Sequence, residues 1–240
     1  MLPAWQDSRN ALGPSADLQV ENGPLYGRKL YVPMAEGADA FLVIGATISF
    51  LIDANSDGVR LETAETQDGG HVSTLILEGA TGRQLACNPA PALAEACLAT
   101  SAYLLGIIDA ALARTLEYFG IRVQFGKLIG SFLALQHRAV DLKLQAELTR
   151  ASVEDAAARW DREPFTPGSY AAISRAKVRA SNTAMLVTRQ AIQLHGGIGY
   201  TDEHDIGLYL RKAMVMAPQF GGVSIHTARY ARLLPAQQGN

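Results

Sequence analysis

"EYFGIRVQFGKLIGSFLALQHRAVDL", residues 117–142, is the stretch on which the reading of this chain turns. Two apolar-patterned segments flank its middle, "RVQFGKLIGS" (122–131), which holds two cations, two glycines and Phe125 in surroundings rich in alanine and leucine. A cation and exposed backbone N–H groups beside a helix start suit a phosphate. A plain helix–helix turn with solvated charges has the same composition. Spacing alone leaves both readings open.

Outward from this turn the pattern is helical. Residues 91–121 predict one long helix with prolines just before it, and residues 132–163 a second with Ser131 as N-cap. "PFTPGSY" (164–170) breaks the chain, and a third helix is expected over about 169–194. "HGGIGYT" (195–201) breaks it again. Thr201 is then the expected cap of a fourth long helix, with Asp202 and Glu203 in its first turn and Arg211 and Lys212 in its last, as the helix dipole prefers. A shorter helix closes the chain at about 221–234. Long helices with short connections predict an antiparallel bundle.

Before residue 88 the pattern differs. "LYGRKLYVPMAEGADAFLVIGA" (25–46), "ISFLIDANSDGVRL" (48–61) and "HVSTLILEG" (71–79) are short β-rich runs bounded by "NG", "EG", "NSDG" and "DGG". They predict an antiparallel sheet domain. The expected fold class is α+β: a small antiparallel β-domain over 1–86, then a bundle of long helices over 87–240.

Composition narrows the function. The chain has 240 residues, 48% of them hydrophobic and 18% charged, with a net charge of −2 and no block of either sign. Nucleic acid and anionic membrane surfaces are poor partners for such a chain. Cys87 and Cys97 fit no metal-ligand spacing and no disulfide framework, which points to a reducing compartment such as the cytoplasm. "MLPAWQDSRN" (1–10) lacks the basic start and apolar core of a signal peptide. The most apolar run, 91–108, is interrupted by Glu95 and ends at Asp109, so no membrane span is expected there.

The stretch at 117–142, followed about seventy residues later by "QAIQLHGGIGYTDEHDIGLYLRKAM" (190–214), resembles the C-terminal helical half of the acyl-CoA dehydrogenase family. The specificity lies in the pair and its order. The preceding β-rich region resembles that family's middle β-domain more weakly, and the two together cover nearly the whole chain. The family's N-terminal helical domain is expected to be absent, since the chain starts about where the first strand of the middle domain should be.

The resemblance implies FAD as cofactor, an acyl-CoA thioester as substrate, removal of hydrogens from Cα and Cβ, electron-transfer flavoprotein as acceptor, and a homo- or hetero-oligomer through the helical half. It implies that the R-x-x-F-G turn, here Arg122, Gln124 and Phe125, contacts the FAD of a neighbouring subunit. A guanidinium suits a pyrophosphate by charge and fork geometry. Gln193, Gly196 and Gly197 match the stretch that approaches the ADP part of FAD, where a missing Cβ lets backbone come close. A helix C-cap accounts equally for the two glycines taken alone.

The family's chemistry needs a base for the α-proton. Many members carry a Glu near the C-terminus, and the matching "PQFGGVS" (218–224) puts Phe220 at that position. Other members carry it on the helix before the R-x-x-F-G turn, which falls at Glu95. Glu95 is also the only charged residue between Arg83 and Asp109, and burial on an apolar helix would raise its pKa toward that of a base. Alternatively it is an ordinary acidic residue near a helix start. His137, His195 and His204 show no ligand spacing and are expected in turn or helix-face roles, with no metal. Asp141 and Asp205 are expected to make structural hydrogen bonds.

Two positions depart from the family pattern: Pro33, where a Thr often stands near the flavin, and Leu133, where a Gln is common. Three functions remain in view: an FAD-dependent dehydrogenase, a non-catalytic subunit lending Arg122 and the 193–201 segment to a partner's FAD, and an interaction protein without cofactor. Apolar helix faces left uncovered by an absent domain favour a partner in each case.

Overall fold

The computed structural model describes residues 1–9, 11–15, 18–20, 23–86 and 88–234. Cys87 lies outside them. The chain divides into two compact units, Met1–Leu93 and Ala94–Asn240.

The first unit is built from strands β1 (Leu2–Ala4), β2 (Gln19–Val20), β3 (Leu25–Pro33), β4 (Ala40–Ile44), β5 (Ser49–Asp53), β6 (Val59–Glu65), β7 (His71–Ala80) and β8 (Arg83–Leu85). They form two four-stranded sheets, ordered β1-β4-β5-β8 and β2-β3-β7-β6. Pairing is antiparallel throughout except at β1–β4, where Pro3 faces Leu42 in a parallel register. Alternation in β7 turns Ser73, Leu75 and Leu77 inward. Those two leucines share one core with Phe41 and Val43 of β4 and Phe50 and Ile52 of β5, so the sheets pack face to face. A register shift in β3 between Lys29 and Val32 leaves Tyr31 at φ 56°. Lys29, 1% exposed, is ion-paired there to Asp7 across 2.5 Å.

Among the described residues the second unit holds three long helices, α1 (Ala90–Ile121, all but its first turn), α2 (Leu133–Arg162) and α3 (Pro167–His195), and two short ones, α4 (Ile206–Met216) and α5 (Val223–Leu233). The expected α+β class holds. Helix α3 is central: α2, α4 and α5 all pack on it. Its buried face runs Ala172, Ala176, Ala180, Ala184, Val187, Ala191, and small side chains at helical spacing let neighbouring backbones approach closely. The "TPGS" break is a capping box: Thr166 Oγ1 accepts from the Ser169 N–H, Ser169 Oγ accepts from the Thr166 N–H, and Pro167 sits in the first turn. Helix α1 is long and apolar enough to cross a membrane by length and composition, yet half of its most apolar window is buried within the fold. Its buried Thr100, Ser101 and Thr115 donate to carbonyls one turn back, so they need no water.

Four local expectations are corrected. The 122–131 segment is a β-hairpin of β9 (Val123–Gln124) and β10 (Lys127–Leu128) rather than a helix–helix turn. Its two-residue loop, Phe125–Gly126, has positive φ at both positions (53° and 75°), the pattern of a type I′ turn. Ser131 does not cap α2; Phe132 holds that position without a side-chain bond, while Ser131 Oγ donates to the Leu128 carbonyl. Thr201 does not open α4. Its N–H and Oγ1 both donate to the Ile198 carbonyl, closing a 3-10 turn over Gly196–Tyr200, and α4 starts five residues later. That local bond outcompetes the capping role, so Asp202 and Glu203 fall in a turn and α4 has three turns instead of a long span.

Candidate functional site

The hairpin after α1 and the glycine-rich turn after α3 converge. Arg122, Gln124, Phe125, Gln193, Gly196 and Gly197, from two segments about seventy residues apart, all line one open cleft of about 740 Å³. The cleft was legible only in halves from the sequence; His195 and Thr201 lie in the 193–201 segment read as a cofactor contact, while Tyr118, Ile129 and Glu203 also line it and were not read as part of a site.

Each half has a local reason for its shape. Gly130 lets the hairpin fold back on the end of α1: a Cβ there would stand 2.9 Å from the Phe119 carbonyl oxygen. The Ile129 N–H donates to the Arg122 carbonyl and closes the hairpin's base. Lys127 Nζ stands 4.4 Å over the Phe132 ring, a cation–π contact that draws this cation back onto the hairpin. Arg122 is exposed, and among the described residues its guanidinium has no hydrogen bond or ion pair. Phe125 is 91% exposed and left-handed, a strained apex for a non-glycine residue. In the other segment Gly196 ends α3 at φ 67°, and a Cβ on Gly196 or Gly197 would project into open space. Gln193 Oε1 accepts from Tyr200 OH at 3.5 Å.

The cleft floor is aromatic. The His195 ring, 3% exposed, stacks on Tyr118 with centroids 4.4 Å apart and 21° between planes. His204 tilts against it at 4.6 Å. Burial, with the His204 charge adding to it, holds His195 below the ordinary imidazole range despite its bond to the Ala191 carbonyl. His195, the last residue of α3, keeps the expected helix-face place and turns its buried ring to the cleft. A free guanidinium, glycine backbone and an aromatic surface suit a planar, phosphate-bearing ligand.

Glu95 is not in this cleft. It lies in the second turn of α1, exposed, and its Oε1 accepts from Trp160 Nε1 at 3.2 Å. The burial expected from its apolar sequence neighbours does not occur, because those neighbours face inward around it: Ala94 and Cys97 are buried with Trp160, Ala172, Ile173 and Ala176. Phe220 packs against the same cluster, at φ 55°. Beneath it lies a basic group that sequence spacing did not reveal. Lys177, wholly buried, donates to the Ala217 carbonyl at 2.6 Å and to Ser181 Oγ at 3.3 Å. His226 Nε2 donates to the Phe220 carbonyl at 2.8 Å, and its Nδ1 lies 3.3 Å from Ser174 Oγ. Burial brings Lys177 down to about 8 and His226 to about 4, and raises the Cys97 thiol to about 11. Asp205 is 3.7 Å from Arg114, and Asp141 borders a separate groove on α2 and α3.

A family profile described as acyl-CoA dehydrogenase, C-terminal domain, matches residues 90–234. The short-chain specific acyl-CoA dehydrogenase of Megasphaera elsdenii is 30% identical over 216 residues, covering 80% of this chain and 55% of that one. Acyl-CoA dehydrogenase IpdE2 of Mycolicibacterium smegmatis is 41% identical over 126 residues, covering 52% of this chain and 38% of its own length. The chain thus spans about half, or less, of these relatives. Among solved structures, the ChsE4-ChsE5 complex from Mycobacterium tuberculosis superposes with a TM-score of 0.84 at 26% identity, over 98% of this chain and 66% of that one.

Proposed function

The chain belongs to the acyl-CoA dehydrogenase family, and from that we propose that it acts in FAD-dependent α,β-dehydrogenation of an acyl-CoA thioester. The observation that carries the reading is the meeting of Arg122, Phe125, Gln193, Gly196 and Gly197 at one cleft. FAD fits these residues. The unpaired Arg122 fork offers a pyrophosphate two donors, and the open space over Gly196 and Gly197 admits a ligand close to backbone. Gln124 and Gln193 supply amide donors and acceptors at the rim, and the exposed Phe125 offers a flat apolar contact. When bound, the flavin supplies the hydride acceptor for the β-hydrogen.

Within this chain the proposed base is Glu95. Trp160 holds one carboxylate oxygen, which orients the side chain and leaves the other oxygen able to take a proton. Phe220 has no proton-accepting atom in its side chain. The redox partner proposed is an electron-transfer flavoprotein, and the assembly a homo- or hetero-oligomer through the helical unit. The apolar stripe Leu133, Val140, Leu144 and Leu148, exposed along α2, supports a partner there. The domain limits proposed are 1–86 and 87–240, and the compartment the cytoplasm.

One observation favours a second reading. The cleft and Glu95 are separate within this chain, and Glu95 is exposed. Both features suit a subunit that lends Arg122 and the glycine-rich turn to the FAD of a partner chain. The two readings part on the purified protein reconstituted with FAD. A flavin absorption band that bleaches with acyl-CoA supports the first. Flavin retention without bleaching until a partner chain is added supports the second. No retention of flavin by the chain or by any complex it forms overturns both.

A further inference from the structure

His195 and His204 are held as opposite tautomers by the backbone. His195 Nδ1 is 2.7 Å from the Ala191 carbonyl, which only accepts, so Nδ1 carries the proton and Nε2 is a bare acceptor in the neutral ring. His204 Nδ1 accepts the Ile206 N–H at 3.1 Å, so its proton sits on Nε2, a donor. Among the described residues, His195 Nε2 is buried without a hydrogen-bond partner. A buried acceptor left unmade is destabilising, and such groups are uncommon in native folds. Tyr118 is the nearer ring, at 4.4 Å, but it stacks on the imidazole face and its O–H lies in its own plane, away from the imidazole edge. The next ring carrying a donor is His204, 4.6 Å away between centroids and inclined at 55°.

We propose that His195 and His204 are positioning residues of the cleft: His204 Nε2–H closes onto His195 Nε2 when the cleft is filled, drawing the 201–205 turn onto the end of α3. The turn carries two cleft-lining residues, Thr201 and Glu203, so its position sets the width of the opening. His195 cannot follow His204 outward, because Tyr118 stacks on its face and Ala191 fixes its edge. His204 is half-buried and attached to a turn, so it is the mobile member. The contact satisfies the orphan acceptor at the moment the ligand is enclosed. The identity of the ligand rests on the FAD reading above; the latch itself does not.

Two measurements test it on the whole chain. In histidine long-range proton–nitrogen spectra, His195 should show an unprotonated Nε2 and His204 an unprotonated Nδ1, with the His204 Nε2–H moving downfield when FAD is added. Hydrogen exchange and FAD titration then compare His204→Phe with His204→Gln, whose amide N–H stands in for the imidazole donor. With FAD bound, His204→Phe should raise exchange of the 202–205 amides (the Ile206 amide is left out because it already bonds His204 Nδ1) and weaken FAD binding, each about tenfold, the effect of one lost hydrogen bond. His204→Gln should stay within about twofold of the parent in both. Equal behaviour of the two variants, or reversed tautomers, overturns the proposal even if FAD binds well. If the parent binds no FAD, the cofactor reading falls; the latch then stands only if inorganic pyrophosphate in the cleft protects the 202–205 amides in the parent and in His204→Gln but not in His204→Phe, and it falls if pyrophosphate protects none of them.

Discussion

Trp160 donates its indole N–H to the Glu95 carboxylate across 3.2 Å, tying the second turn of α1 to the end of α2. The bond gives an otherwise exposed carboxylate one orientation. Under the proposed role as base, Glu95 would act through its position, since its side chain is exposed in this chain. Glu95→Gln keeps the shape and removes the proton acceptor. It should leave FAD binding unchanged and slow acyl-CoA-dependent flavin bleaching by at least about a hundredfold, the usual scale for a lost general base. Stopped-flow absorbance at the flavin band reads both. Bleaching at the parent rate would place the base on another residue.

Arg122 and Gly196 line the same cleft. Arg122→Ala should weaken FAD binding by about 2 kcal/mol, roughly thirtyfold in Kd, by removing a charge-assisted phosphate contact. Arg122→Lys should recover part of this, since the charge stays and the fork is lost. Fluorescence titration with FAD checks the order Arg, Lys, Ala. An alanine variant that binds as tightly as the parent refutes the contact.

His226 titrates on acidification. In the fold it stays neutral to about 4, against an ordinary value of 6.5, chiefly through burial. Between these values the unfolded chain binds a proton that the folded chain does not, so stability falls as the pH drops through this window. The full difference is about 3 kcal/mol, and about 2 kcal/mol of it is gone by pH 5. Urea unfolding at pH 7 and pH 5 should show that loss. His226→Gln, less stable at pH 7, should lose less between the two. Parallel pH dependence of the two proteins would count against this assignment.

Phe125 holds a left-handed backbone at the tip of the hairpin with 91% of its surface exposed. Phe125→Gly relieves the strain, by about 1 kcal/mol. The glycine variant should therefore be as stable as the parent or slightly more so in thermal unfolding, while binding FAD more weakly. A variant weaker on both counts would show that the ring serves the fold instead of the ligand.

The sequence by itself determined the two-part organisation, because the change from alternating to helical periodicity near residue 88 follows from which faces must be buried. It also determined the family, since two separated motifs with glycine and cation at set positions rarely coincide. The tertiary structure decided the rest. Nothing in the chain order says that residues 122–125 and 193–197 share a cleft; α2 and α3 must pack antiparallel before the end of α1 meets the end of α3. Nothing in "PALAEACLAT" says which way Glu95 faces, because a charged residue among apolar neighbours is buried or exposed according to its place on the helix surface, and here Ala94 and Cys97 take the inner face. The buried Lys177 and the tautomers of His195 and His204 were hidden for the same reason. Each depends on a carbonyl or amide brought within hydrogen-bond reach by the backbone's path, which residue type does not encode.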